Sequence, residues 1–272
     1  MSLEETKQLI RTFRITPNKL LGQNFLVEPS LYTKLCVFAS VGDSDVVLDA
    51  GAGFGFLSRF LADKCKAVIA VEKDPQIARS LRQQVKGIGN VTVIEGDALK
   101  TALPKFTKVI AVPPYYISTR LVAWLLERNI ACAVLILQKE FANRLNAAVG
   151  SKDYGWLTVL TYQRLEAELL DAVPKEMFFP QPKVDSVIVR LRPWSQSPFM
   201  VKNEALFMQV TKWLFTQRNK KLGKAVALLF KANPRISYRG AENLAFELGL
   251  NDKRVRELRP QQFGALADAI AR

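Results

Sequence analysis

Two prolines and two tyrosines end an apolar, strand-like run at residues 109–116, whose sequence is VIAVPPYY. Proline fixes φ at about −65° and has no N–H, so Pro113 and Pro114 form a rigid stretch whose carbonyls can accept hydrogen bonds. A planar group that carries an amine, such as a nucleobase, can stack on the ring of Tyr115 and donate to such carbonyls. These residues therefore indicate a site for a flat, amino-bearing substrate. Packing of Tyr115 in the core is the main alternative.

A glycine-rich turn upstream indicates what lies opposite this platform. Residues 46–49 have the pattern of a short buried strand, Gly51, Gly53 and Gly55 follow it, and a helical pattern begins at Phe56. Glycines at such a turn permit a ligand to approach the backbone closely. One glycine turn is weak evidence by itself, because a doubly wound sheet can use it for packing alone.

Acidic residues follow two further strand-like runs. The run 67–71 ends in Glu72, which lies 23 residues after Asp49, at the spacing typical of an acid that binds a ribose diol. The run 91–94 is followed by Asp97. Either acid alone is more often a solvated loop or cap residue. A glycine turn, two acidic strand ends and an aromatic platform in this order are more specific, and they predict the carboxyl edge of one parallel sheet.

Basic residues exceed acidic ones by 39 to 25, which gives a formal net charge of +14. This excess favours a polyanionic partner, but charge alone does not distinguish RNA, DNA and membrane surfaces. Residues 196–272 contain 14 Lys and Arg against 6 Asp and Glu. Solvated helix faces are the alternative explanation for any single charge. We expect this segment to dock on folded RNA through Arg218, Lys220, Lys221 and Lys224.

The residue types that are missing exclude several kinds of site. The chain has no histidine, which excludes Ser-His-Asp and Cys-His catalysis and histidine metal sites. Cys36, Cys65 and Cys132 are far apart, so we expect reduced thiols in a cytoplasmic protein and no bound metal. We expect no membrane segment, because no apolar run approaches the ~20 residues that span a bilayer. The charged N-terminus does not resemble a signal peptide.

The chain is long enough for one large domain and a smaller one. A Pro- and Ser-rich stretch follows a strand-like run at 186–191, and beyond it Phe207, Val210 and Leu214 recur on one helical face. Residues 21–26 have the pattern of a loop. The expected boundaries are a large α/β domain at 1–192, a linker at 193–198 and a basic helical domain at 199–272.

These motifs resemble the KsgA-type small-subunit ribosomal RNA adenine N6-dimethyltransferases, from about Leu20 to Ala227. Several of the matching segments lie outside the cofactor fold, which makes the resemblance specific. The matching segments are Leu21–Leu26, Asp49–Gly55, Glu72, Gly96–Leu99, Pro114–Tyr115, Gln138–Glu140, Lys152–Gly155, Phe178–Ser186 and Gln217–Lys220.

The resemblance implies an α/β fold, namely a Rossmann-like S-adenosylmethionine-dependent methyltransferase sheet with a smaller C-terminal helical domain. It implies transfer of methyl groups from S-adenosylmethionine to N6 of adenines in small-subunit ribosomal RNA during ribosome biogenesis. The expected partner is therefore the small ribosomal subunit or its RNA. We expect a monomer, because the sequence has no coiled-coil pattern.

The resemblance also assigns site residues. Gln23, Asn24 and Leu26 would close over S-adenosylmethionine. Glu72 would bind its ribose, and Asp97 and Ala98 would hold its adenine. The target adenine would lie between Tyr115 and Phe178, with the Pro113 carbonyl accepting one amino proton. The residues expected to bind the cofactor are Gln23, Asn24, Leu26, Gly51, Gly53, Glu72, Asp97, Ala98 and Val112.

Val112 departs from the family pattern, which has asparagine at this position. Valine cannot accept a hydrogen bond from the target amine, so full dimethylation is in question. Three interpretations stay open: weaker or single methylation with a substitute acceptor, an engineered inactive protein, or a natural variant kept for binding. The alternatives to the methyltransferase are thus a silent, RNA-binding assembly factor and an Erm-type large-subunit methyltransferase. Residues 152–155 and 178–186 resemble the small-subunit enzymes more.

Overall fold

A seven-stranded sheet and a small two-stranded sheet organise the computed structural model, which describes residues 2–17, 22–232 and 243–271. The strands are β1 Phe25–Leu26, β2 Val46–Ala50, β3 Ala67–Glu72, β4 Val91–Glu95, β5 Lys108–Ala111, β6 Cys132–Gln138, β7 Leu165–Val173, β8 Phe178–Phe179 and β9 Ser186–Pro193. The expected strands near residues 46, 67, 91, 109 and 186 are thereby confirmed.

The helices connect and cover these strands. Asp74 caps α4 by accepting the N–H groups of Gln76 and Ile77, and Pro75 occupies the first turn, where its missing N–H costs nothing. The helices are α1 Leu3–Thr12, α2 Ser30–Ala39, α3 Phe56–Ala62, α4 Pro75–Gln84, α5 Ser118–Leu125, α6 Lys139–Asn143, α7 Trp156–Arg164, α8 Glu204–Phe215, α9 Leu222–Ala232, α10 Leu244–Glu247 and α11 Pro260–Ile270.

The large sheet has the order β4-β3-β2-β5-β6-β9-β7. Strands β2 to β6 are parallel, and β9 runs antiparallel to β6. Its central strands are almost wholly apolar because both faces are covered, as in the fully buried Val47 and Leu48 of β2. The strand order reverses between β2 and β5. The carboxyl ends of these two strands are therefore where such a fold binds its ligand.

The small sheet joins two segments that are distant in sequence. Phe25 and Leu26 of β1 pair antiparallel with Phe179 and Phe178 of β8. The sequence predicted a loop at 21–26, and for Phe25 and Leu26 this was wrong. Two residues carry no readable periodicity, and this strand exists only because a partner about 150 residues away supplies its hydrogen bonds. Leu21 lies outside the described residues.

The chain divides into two compact units, and the division differs from the sequence-based boundaries. One unit comprises residues 1–142 and 168–193, and the other comprises residues 143–167 and 194–272. The second unit thus takes in a segment that we had placed in the first domain. It is joined there because Tyr154, 1% exposed, packs on Phe215 and donates its hydroxyl to the Leu258 carbonyl at 2.7 Å.

The expected linker is also partly fixed within the second unit. The Trp194 indole N–H donates to the Tyr162 carbonyl at 2.8 Å. The predicted apolar face at Phe207, Val210 and Leu214 is confirmed, since all three side chains are buried. The second unit therefore has a core of its own, which spans both parts of its chain.

Among the described helices, none is both long and apolar enough to cross a bilayer. Cys65 and Cys132 are buried, Cys36 is half-buried, and all three thiols are free.

Tyr154→Phe tests the junction between the two parts of the second unit. We expect the free energy of unfolding to fall by about 1–3 kcal/mol, because the buried Leu258 carbonyl loses its partner. Denaturant unfolding measures this loss. Tyr162→Phe is the matched control, since its hydroxyl makes no hydrogen bond within the described residues, and it should change stability little. Equal effects of both substitutions would contradict the assignment.

Candidate active site

The turn after β2 brings backbone close to the proline segment. Gly51 has a φ of +85°, and a Cβ placed on it would lie 3.0 Å from the Pro114 Cδ. Its N–H and that of Ala52 donate to the Val71 carbonyl at 2.9 and 3.0 Å. A side chain at residue 51 would thus be strained and would also crowd Pro114. The turn and the proline segment, on neighbouring strands, form one wall.

Glu72 ends β3 beside this turn. Its carboxylate accepts the Gly53 N–H at 2.9 Å and the Asp74 N–H at 2.8 Å, one on each oxygen. Burial raises the pKa of Glu72, although these two N–H groups work in the opposite direction. A carboxylate has about four acceptor sites, so each oxygen keeps room for another donor. Glu72 is therefore fixed in place with capacity left for a ligand's hydroxyl groups.

Asp49 is a second acid at the same edge, and no functional role was predicted for it from the sequence. It is 1% exposed, and the Ser58 hydroxyl donates to its Oδ2 at 2.7 Å. Burial raises the pKa of Asp49 to about 7, and the nearby charge of Glu72 adds to the shift, while Ser58 opposes it. Its position at a strand end was readable from the sequence, but its complete burial was not.

The segment 22–26 is fastened over this edge by contacts that are distant in sequence. Gln23 donates its amide to Asp74 Oδ2 at 2.9 Å. The rings of Phe25 and Phe54 lie 4.4 Å apart between centroids. Asp74 also caps α4, and no local sequence pattern indicates its bond to Gln23.

Most of the predicted cofactor residues line one pocket. Asp97 and Ala98 stand outside it, beyond the end of β4. Lys73 links Asp97 to the pocket, since Lys73 lines the pocket and its ammonium lies 3.4 Å from Asp97 Oδ2. The predicted residues that line the pocket are Gln23, Asn24, Leu26, Gly51, Gly53, Glu72 and Val112.

Tyr115 and Phe178 are brought together next to this pocket. Their ring centroids are 6.4 Å apart and their planes meet at 69°, which is an edge-to-face contact. Phe178 is buried and Tyr115 is half-buried. The two rings form a pair as expected, but they are not parallel, so the sandwich inferred for a flat base requires one ring to turn.

Val112 lies between the pocket and the aromatic pair. It lines the pocket and packs against the apolar cluster that contains Leu26, Phe178 and Ile110. Pro113, which follows, is buried. Val112 is thus a half-buried apolar side chain that offers no hydrogen-bond acceptor.

Comparison with known proteins identifies the family. The sequence profile of ribosomal RNA adenine dimethylases matches residues 15–264. The chain belongs to the ribosomal RNA adenine dimethylase family. Among curated dimethylase relatives, it is 37% identical over 250 residues to the probable ribosomal RNA small subunit methyltransferase A of Methanosarcina barkeri, covering 91% of this chain and 86% of that one. It is 34% identical to the corresponding Halothermothrix orenii protein, covering 97% and 92%.

Solved structures of dimethylase relatives agree with the fold. A dimethyladenosine transferase from Plasmodium falciparum superposes with a TM-score of 0.77 at 30% identity, covering 89% of this chain and 95% of that one. The 23S rRNA methyltransferase ErmE gives a TM-score of 0.65 at 30% identity, covering 92% and 100%. The predicted Rossmann-like methyltransferase fold is confirmed.

Asp49→Asn tests the buried acid through the pH dependence of stability. With a pKa of about 7 when folded and about 3.9 when unfolded, Asp49 keeps a proton between these values that the unfolded chain releases. Its contribution to stability is therefore present below about pH 4 and lost as pH rises through 7. Asparagine does not titrate, so the variant should gain on the unmodified protein by up to a few kcal/mol between pH 5 and 8. Denaturant unfolding across this range measures the difference.

Asp45→Asn is the matched control with the opposite sign. Burial would raise the pKa of Asp45, but Lys108, 2.8 Å away, and the N–H of Gly42 hold it below its usual value. Its stabilisation is present above about pH 4 and lost as pH falls through the lowered pKa. The two variants should therefore diverge from the unmodified protein in different pH ranges. A flat Asp49→Asn difference between pH 5 and 8 would contradict the assignment.

Proposed function

We propose that this protein transfers methyl groups from S-adenosylmethionine to the N6 amine of adenines in small-subunit ribosomal RNA. The observation that carries the proposal is the close approach of the glycine turn to the proline segment that carries Tyr115. It places a pocket with fixed carboxylates directly beside a platform for a base. Membership of the dimethylase family and the names of the curated relatives support this choice.

The pocket suits the cofactor in charge and shape. S-adenosylmethionine supplies a methyl group on a positively charged sulfur. Asp49 and Glu72, whose ionised forms a nearby cation favours, lie where the turn at Gly51 and Gly53 leaves room for close approach. We assign Glu72 to the ribose hydroxyls, because its carboxylate is fixed and keeps free acceptor sites. Gln23, tied to Asp74, holds the covering segment in place.

We assign Tyr115 and Phe178 to the target adenine. Stacking on an aromatic side chain stabilises a base by about 1–3 kcal/mol, which offsets part of the few kcal/mol lost on unstacking it from RNA. Turning one ring from its edge-to-face position opens two faces to the base. The platform therefore holds the base while its amine faces the pocket.

Chemistry at this amine depends on hydrogen-bond acceptors. The lone pair of an adenine amine is conjugated with the ring, and acceptors for its N–H protons favour a pyramidal, nucleophilic nitrogen. The Pro113 carbonyl can take one proton, but Val112 cannot take the second. Loss of one such polar contact in a preorganised site typically slows a reaction about 10²–10³-fold. We therefore propose a cofactor-binding site whose transfer step is impaired.

Val112→Asn should restore the missing acceptor. We expect transfer to undermethylated small ribosomal subunits to rise about 10²–10³-fold, with cofactor affinity unchanged. Labelled S-adenosylmethionine, with monomethyl and dimethyl adenine quantified separately, gives the rate and the number of methyls. Val112→Leu is the matched control, because leucine has the branched shape of asparagine without its polar atoms.

Four outcomes separate the hypotheses. Transfer only by Val112→Asn means that the site is intact and silenced at residue 112, as an assembly factor would be. Equal transfer by the unmodified protein and by Val112→Asn contradicts the proposed impairment. No transfer by either contradicts the enzyme, and methylation only of large-subunit RNA would favour the Erm-type alternative.

The basic second unit is the proposed docking surface for RNA. Lys220 and Lys224 are exposed and have no ion pair within the described residues, whereas Lys221 pairs with Asp252 at 3.0 Å. Arg218 donates to the carbonyls of residues 151 and 152 at 3.1 Å, so part of its guanidinium is engaged within the unit. Lys220 and Lys224 are therefore the stronger candidates for phosphate contacts.

Replacing Lys220 and Lys224 together by Gln should weaken binding to small subunits. The slope of log K against log salt should become shallower by about 1–2, because each phosphate contact releases roughly one counterion. Filter binding at several salt concentrations measures the slope. Lys66→Gln with Lys86→Gln is the matched control, since it removes the same charge from exposed lysines of the first unit. Equal slopes for both double variants would show that only net charge matters.

A further inference from the structure

Tyr115 shares a hydrogen bond that the family motifs did not predict. Its hydroxyl lies 2.7 Å from the Ser186 Oγ, and either oxygen can be the donor. Ser186 is only 1% exposed, so water does not compete strongly for this bond. The bond spans 71 residues of sequence and joins the platform to a different strand of the sheet.

Ser186 is a firm anchor because it belongs to the sheet. It is the first residue of β9, and its backbone is in register with Gln138 at the end of β6. Strand β6 pairs in parallel with β5, whose continuation carries Tyr115. The hydroxyl that holds the tyrosine is thus fixed by the neighbouring strand and does not move with the loop that carries the ring.

The bond constrains the ring without blocking its rotation. A tyrosine ring held at Cβ and at its hydroxyl has both ends of its long axis in place. The remaining motion is rotation about that axis. Rotation is the movement that converts the 69° contact with Phe178 into two parallel faces. The anchored ring can accept a base and still keep its distance from the pocket.

We propose that Ser186 is a positioning residue for methyl transfer, which holds Tyr115 so that the target base stacks with its amine facing the cofactor pocket. This inference rests on the proposed function. It predicts that Ser186 affects the reaction only through the Tyr115 hydroxyl. A purely structural role in β9 would be independent of that hydroxyl.

The test is a double-mutant cycle of Ser186→Ala and Tyr115→Phe, made in the unmodified protein or in Val112→Asn, whichever transfers methyl groups. Each single variant should lower kcat about 5-fold, which corresponds to the ~1 kcal/mol of one ordinary hydrogen bond. The KM for small subunits and the cofactor affinity should stay unchanged. The double variant should be no slower than either single variant, because both changes remove the same bond.

A second readout reports the bond itself. With 3-fluorotyrosine in place of tyrosine, the ¹⁹F signal that disappears in Tyr115→Phe belongs to Tyr115, and Ser186→Ala should shift or broaden it. Ser80→Ala is the matched control, since Ser80 is fully buried and its hydroxyl has no partner within the described residues. It should change neither the Tyr115 signal nor kcat.

Each outcome supports or overturns the proposal. Effects on kcat that multiply in the double variant would overturn it, as would a Tyr115 signal unaffected by Ser186→Ala. Transfer by neither background would overturn the proposed function, and with it the role of Ser186 in the reaction. Methyl transfer in which the two effects on kcat multiply would leave the proposed function in place and reject only the role of Ser186.

Discussion

The whole site depends on two acids, Asp49 and Glu72, that lie at the carboxyl ends of the neighbouring strands β2 and β3. Asp49 is buried and Glu72 is partly buried; burial raises the pKa of both carboxyl groups, and the charge of Glu72 adds to the shift at Asp49. Removing acids from water is costly unless donors or a cationic ligand compensate. Ser58 and two backbone N–H groups compensate in part. The part of the desolvation cost that these donors do not offset favours a positively charged ligand at this edge.

The aromatic pair is assigned to a flat, uncharged base, so stacking rather than charge would govern its contact with that partner. Tyr115 is held by its neighbours on two strands, and Phe178 is held by the pairing of β8 with β1. That pairing also joins Phe178 to Leu26, in the segment that covers the cofactor pocket. The covering segment is thus hydrogen-bonded to the strand that carries Phe178, whereas Tyr115 is anchored separately on β9.

Val112 separates binding from chemistry in this protein. Its side chain packs against the apolar cluster that contains Leu26 and Phe178. The groups assigned to the cofactor and the base are in place without it. In the proposed function, Val112 leaves the target amine without a second polar acceptor. We therefore propose a protein that combines a binding site for cofactor and base with a weakened transfer step.

The sequence determined most strands of the large sheet, the glycine turn and the strand-end acids, because these depend on local periodicity and on residue types that tolerate few conformations. It also determined the family, since several motifs match in order. Tertiary structure alone decided the β1–β8 pair, the Gln23–Asp74 contact and the Tyr115–Ser186 bond. It likewise decided that residues 143–167 join the second unit. These features depend on contacts between residues about 30 to 150 positions apart, and no local pattern records which distant groups will meet when the chain folds.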